Sequence, residues 1–158
     1  MKKLFTNVLT AVISLTIIIL ILGLFEKLAL PKWPFVILLV VMVEVYHLSF
    51  DKYLWIFVSG LAGIIVGFSQ VLFGFVMPEN LALIFFLLLL VVFATLDVGK
   101  NVVVANILCM VNANIILNIP GIAARENILP VGGAYLLSAA IMGLICYLLT
   151  RAQKGAKA

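Results

Sequence analysis

The chain has 158 residues, 66% of them apolar and 10% charged, with a mean hydropathy of +1.37. Soluble domains run nearer to about half apolar and a quarter charged, so a water-soluble fold would lack the polar surface to cover itself. The net charge of +4 comes from Lys and Arg scattered near segment ends, with no basic cluster to track a phosphate backbone. That argues against nucleic acid and leaves the lipid bilayer as the expected surroundings.

A helix crossing a hydrocarbon layer of about 30 Å needs about 20 residues, so this length allows at most about six spans. Charges and prolines divide the chain into six predicted helices, 4–25, 34–50, 53–77, 80–96, 102–119 and 128–150. The expected fold is all-α, a single polytopic transmembrane bundle of about six spans. Its connections are short enough to make sequential helices antiparallel neighbours.

The opening "MKKLFTNVLTAVISLTIIILILGLF" has the charged head and apolar centre of a signal peptide. Its apolar run is long and reaches Glu26 with no A-x-A-like cleavage site, which favours an uncleaved first span. The second helix ends in "VEVYHLSFDK", where Glu44, His47 and Asp51 stand at i, i+3 and i+7, within about 60° on one face. A carboxylate two turns inside the end faces the bundle or water, pairs with His47 or Lys52, or is protonated. Glu44 and His47 are therefore candidates for a proton relay or for coordinating a solute. The plainer reading is a carboxylate reaching the headgroups beside a satisfied histidine.

The third helix carries Gly60, Gly63, Gly67 and Gly74, with Gly63 and Gly67 forming a GxxxG. Missing side chains let another backbone approach closely, so this face is expected to be the tightest packing in the bundle or the subunit contact of a homo-oligomer. Ser59 and Gln70 border it. The fourth helix, "LALIFFLLLLVVFATL", has no polar side chain before Thr95, as suits a helix facing lipid.

The fifth helix raises the question of the chain. "NILCMVNANIILNIPG" has the apolarity of a span yet holds four asparagines. At 100° per residue, Asn106, Asn114 and Asn118 share an arc of about 120°, and Asn112 faces elsewhere. Such amides either bond neighbouring helices, for about 0.6 to 2 kcal/mol each, or line a wet path where they replace a solute's hydration shell. Pro120-Gly121 ends the helix. The sixth helix repeats the small-residue theme with Gly132, Gly133, Ser138 and Gly143.

Orientation follows from the cations. With six spans one side receives Lys2, Lys3, Lys52, Lys100, Arg151, Lys154 and Lys157, and the other Lys27, Lys32 and Arg125, which places both termini in the cytoplasm. Trp33, Tyr46, Tyr53, Trp55 and Tyr147 all fall near predicted ends, at headgroup level. Comparing "FVSGLAGIIVG" with "YLLSAAIMGLICY" raises a three-helix repeat, which an odd number of spans per half would make inverted, as in many transporters.

Catalytic signatures are missing: no GxSxG, HExxH or P-loop occurs, and with one histidine and two isolated cysteines neither a metal site nor a cofactor is expected. The helix layout, "SGLAG" and "LPVGGAYLLSAAIMG" resemble the YcdZ-like family of small bacterial inner-membrane proteins over about 33–151. That resemblance implies a multi-pass location in the bacterial cytoplasmic membrane and supplies no site residues. The expected function is a channel or transporter for a small polar solute or ion, through Asn106, Asn112, Asn114, Asn118, Glu44 and His47. The alternative is a non-transporting membrane subunit or assembly partner.

Overall fold

The computed structural model describes residues 2–44, 48, 50, 53–98, 107–119 and 121–155. Six α-helices carry these residues: α1 Lys2–Lys27, α2 Trp33–Glu44, α3 Tyr53–Phe73, α4 Glu79–Val98, α5 Ile107–Asn118 and α6 Ile128–Gly155, with a 3₁₀ turn over Arg125–Asn127 leading into α6. No strand occurs among the described residues. Two stretches, Tyr53–Phe73 and Arg125–Gln153, are long and apolar enough to cross a membrane.

Local chemistry sets the ends. α1 stops in a Schellman closure: Leu30 N–H bonds the Phe25 carbonyl, Ala29 N–H bonds that of Glu26, and Ala29 takes a φ of 52°. The apolar contact that accompanies this motif is present, since Phe25 and Leu30 join the same core. Pro34 sits in the first turn of α2, where its missing N–H costs nothing. After α2 the chain reverses through Leu48, at φ 55°, whose N–H reaches back to the Met42 carbonyl. The predicted third helix runs to 77, but α3 stops at Phe73. At Phe75 and Val76 the backbone tightens to bonds three residues back, and Met77 N–H closes on the Phe73 carbonyl ahead of Pro78.

α3 and α6 form the centre. α3 packs against α4, α5 and α6, while α2 lies against α6 and α5. The core comprises Phe25, Phe35, Leu38, Met42, Ile56, Phe68, Leu108, Ile116, Tyr135 and Met142, all sealed from solvent.

Glycines make the close approach possible. A Cβ at Gly60 would strike Tyr135 and Leu108, one at Gly63 would enter the Cys109 backbone, and one at Gly67 would lie 2.7 Å from Ile116 Cβ. These three glycines seat α5 and α6 of the same chain, so a subunit contact through this face is not available. Gly74 differs: a Cβ there would meet only its own helix, 3.3 Å from the Val71 carbonyl oxygen.

The seam between α3 and α6 is a reciprocal pair of tyrosine clasps. Tyr135 Oη donates to the Phe57 carbonyl at 2.8 Å, its ring stacked on Phe57 at 6.0 Å and 9°. Tyr53 Oη donates to the Ala139 carbonyl, its ring lying where a Gly143 side chain would go. Tyr53 thus joins two helices.

Candidate functional site

The asparagines of α5 separate onto two faces. Asn112 points into the packed seam, fully buried, and its Nδ2 donates to the Gly60 carbonyl at 3.0 Å. Its Oδ1 has no hydrogen-bond partner among the described residues. A flipped amide would set oxygen against oxygen, so the orphan acceptor is a consequence of the clamp. Such a group costs about 1–3 kcal/mol.

Asn114 and Asn118 lie on the outer side and are exposed. Asn118 Nδ2 donates to the Asn114 backbone carbonyl at 3.0 Å and to its side-chain oxygen, which ties the two amides along one helical ridge. Asn106 and His47 lie outside the described residues, as do Asp51 and Lys52.

α4 and α5 both rest on α3, and a groove floored by α3 runs between them. Along α5 a cavity of about 290 Å³ is lined by Val66, Cys109, Met110, Ala113, Asn114 and Leu117. Leu117 also borders a larger cavity of about 490 Å³ with Gly67, Gln70, Gly74, Ala82 and Ala123. The two lie side by side with Leu117 between them, the larger at the end of α3 and the start of α4. Their polar groups are the side-chain amides of Gln70 and Asn114. Neither lining holds a charged side chain among the described residues. The nearby cation, Arg125, is held over the Phe75 ring at 4.3 Å.

Glu44, exposed at the last residue of α2, does not join this groove. The start of α2 is the end near the α5–α6 connection, since Trp33 shares a cavity with Ile122 and Asn127. Eleven residues of helix then carry Glu44 about 16 Å away. Among the described residues no group of three His, Cys, Asp or Glu side chains converges. Both cysteines are buried, and neither forms a disulfide.

Spacing along α3 puts Gln70 at the border of the glycine face and says nothing of a cavity there, and it leaves Tyr135 without a role. The usable signal for Tyr135 is a tyrosine seven or eight residues ahead of a glycine, present in both α3 and α6. No family model, curated protein or solved structure matches this chain.

Proposed function

We propose that this chain is a six-span protein of the bacterial cytoplasmic membrane, both termini cytoplasmic, that passes a small polar solute or ion through the amide-lined groove between α4 and α5. The membrane part of this reading is supported by exposed apolar side chains all round the periphery. On α1, Val12, Ile13, Leu15 and Ile17 are each about half exposed, and on α4 so are Ile84, Leu87, Leu88 and Val91. Leaving such surface in water forgoes about 25 cal/mol per Å², a penalty that acyl chains remove. The cation asymmetry and the resemblance to YcdZ-like proteins point the same way.

An inverted three-helix repeat is part of the proposal. Exchanging α1–α3 with α4–α6 converts the α3–α5 contact into the α6–α2 contact and leaves the α3–α6 and α2–α5 contacts in place; these four occur, whereas the α3–α4 contact has no α6–α1 counterpart of like extent among the described residues. The reciprocal tyrosine clasps fit the same exchange. Because the glycine face is filled from within the chain, a homo-oligomer would be built on the exposed sides of α1 and α4.

The observation that carries the transport reading is the groove itself, where Gln70 and Asn114 present amides at a depression large enough for a solute. The second reading, a non-transporting subunit or assembly partner, has the Asn112–Gly60 bond in its favour, because that amide serves packing. Flux measurements on proteoliposomes of wild type, Asn114→Leu and Gln70→Leu separate the two. Transport predicts flux in the wild type and its loss in folded variants. A wild type without flux, or variants that fail to assemble, supports the second reading.

A further inference from the structure

The bond between Asn118 and Asn114 leaves the two amides unlike. Asn118 Nδ2 donates twice, to the Asn114 backbone carbonyl at 3.0 Å and to the Asn114 side-chain oxygen. The first bond fixes how the Asn118 amide lies, because turning it over would set its oxygen against that carbonyl. The second then fixes Asn114, because a turned Asn114 would set nitrogen against nitrogen.

Asn114 lines the smaller cavity, whereas Asn118 lines neither of the two. The Asn114 oxygen is therefore drawn along the ridge towards Asn118. Its Nδ2, at the opposite side of the planar amide, is the group left for the cavity, and it has no acceptor among the described residues.

The larger cavity has a donor at its edge. Arg125 stands two residues beyond Ala123, and its guanidinium lies 4.3 Å from the centre of the Phe75 ring, next along the chain from Gly74. Ala123 and Gly74 both line that cavity, so the cation spans the two segments that bound it. Arg125 forms no ion pair among the described residues. The Gln70 amide in the same lining is not fixed by a hydrogen bond among them and can turn its nitrogen inward.

Resting on the transport reading above, we propose that the two cavities take a small monovalent oxyanion, a short carboxylate or nitrate, and that Asn118 is a positioning residue that keeps Asn114 a donor. An ion leaving water requires opposite charge or oriented dipoles in exchange. Arg125 offers N–H donors in a planar fork and no acceptor, a shape that matches the oxygens of a carboxylate or nitrate. Asn114 adds Nδ2 along α5. No Asp or Glu lines either cavity among the described residues, so nothing there repels an anion or holds a cation.

The test is permeation at clamped voltage through proteoliposomes of wild type, Asn118→Leu, Asn118→Gln and Arg125→Gln. Nitrate is set against urea, a planar molecule of like shape that mostly donates where nitrate only accepts, and against K⁺. Circular dichroism and gel-filtration profiles verify that these exposed substitutions leave the fold intact. Nitrate is expected to pass the wild type at least about tenfold faster than urea, the worth of one hydrogen bond to a charged group. That ratio should collapse in Asn118→Leu, whose Asn114 is free to turn, and recover in Asn118→Gln, which keeps the donor. Arg125→Gln should raise the half-saturating nitrate concentration at least about fivefold. A wild-type ratio in Asn118→Leu overturns the positioning role, and unchanged saturation in Arg125→Gln overturns the part given to the cation. Passage of urea or K⁺ in preference to nitrate overturns the solute class and leaves transport standing. No permeation by any of them removes transport and this inference together.

Discussion

Asn112 and Asn114 stand two residues apart on α5 and live in different surroundings. Asn112 is sealed against α3, where its Nδ2 holds the Gly60 carbonyl. Asn114 lies exposed on the groove, tied only to Asn118 one turn on. One amide joins backbone to backbone and the other remains able to bond something that comes and goes. The comparison teaches that the burden of an amide in an apolar helix depends on what its face meets. Residue type alone does not decide whether it is glue or lining.

The inner face is the easier to break. In Gly63→Val the new side chain would enter the Cys109 backbone, which cannot withdraw without parting α5 from α3. Overpacking of this kind costs about 3 kcal/mol, and a denaturant titration of the protein in micelles should show a loss of that size or failure to fold. A near-neutral result would mean that α5 does not sit on the glycine face.

Paired leucine substitutions sharpen the contrast between the two amides. Asn112→Leu removes one interhelical bond and also the orphan oxygen, so the loss of stability should be about 1 kcal/mol. Asn114→Leu should change stability by no more than about 0.5 kcal/mol. Equal losses in the two variants, read from the same titration, would erase the distinction between the faces.

The smallest effect belongs to a site with neither packing nor depth. Between α1 and α2, Lys32 Nζ donates to Glu26 Oε2 at 2.6 Å, and that hydrogen bond, reinforced by the lysine charge, holds the Glu26 carboxyl below its ordinary value of 4.5. A lowered folded value means the contribution is present above the ordinary carboxylate range and is lost as pH falls through the lowered one. Lys32→Ala should return Glu26 towards the ordinary value in an NMR titration. Because the pair is exposed, the unfolding midpoint at neutral pH should not move measurably.

Much of the fold was legible in the chain because it depends on local information. An apolar run bounded by charge or proline declares a helix wherever it sits, and six such runs became six helices. Helical phase likewise separated Asn112 from Asn114 and Asn118 before any neighbour was known. Phase cannot say which side is indoors. That depended on where α3 presented the Gly60 carbonyl, 52 residues earlier in the chain. Gln70 was hidden for the same reason, since a cavity between α3, α4 and α5 exists only when all three are placed.

The sequence by itself determined the all-helical class, the number and order of the helices, and the glycine positions where backbones can approach closely, because each follows from composition or from spacing along one helix. Only the tertiary structure decided which helices occupy those glycines, that Tyr53 and Tyr135 clasp each other's helix, and which amides face the groove. Those outcomes depend on residues far apart in the chain meeting at distances of a few ångströms. No pattern along a single helix encodes such a meeting.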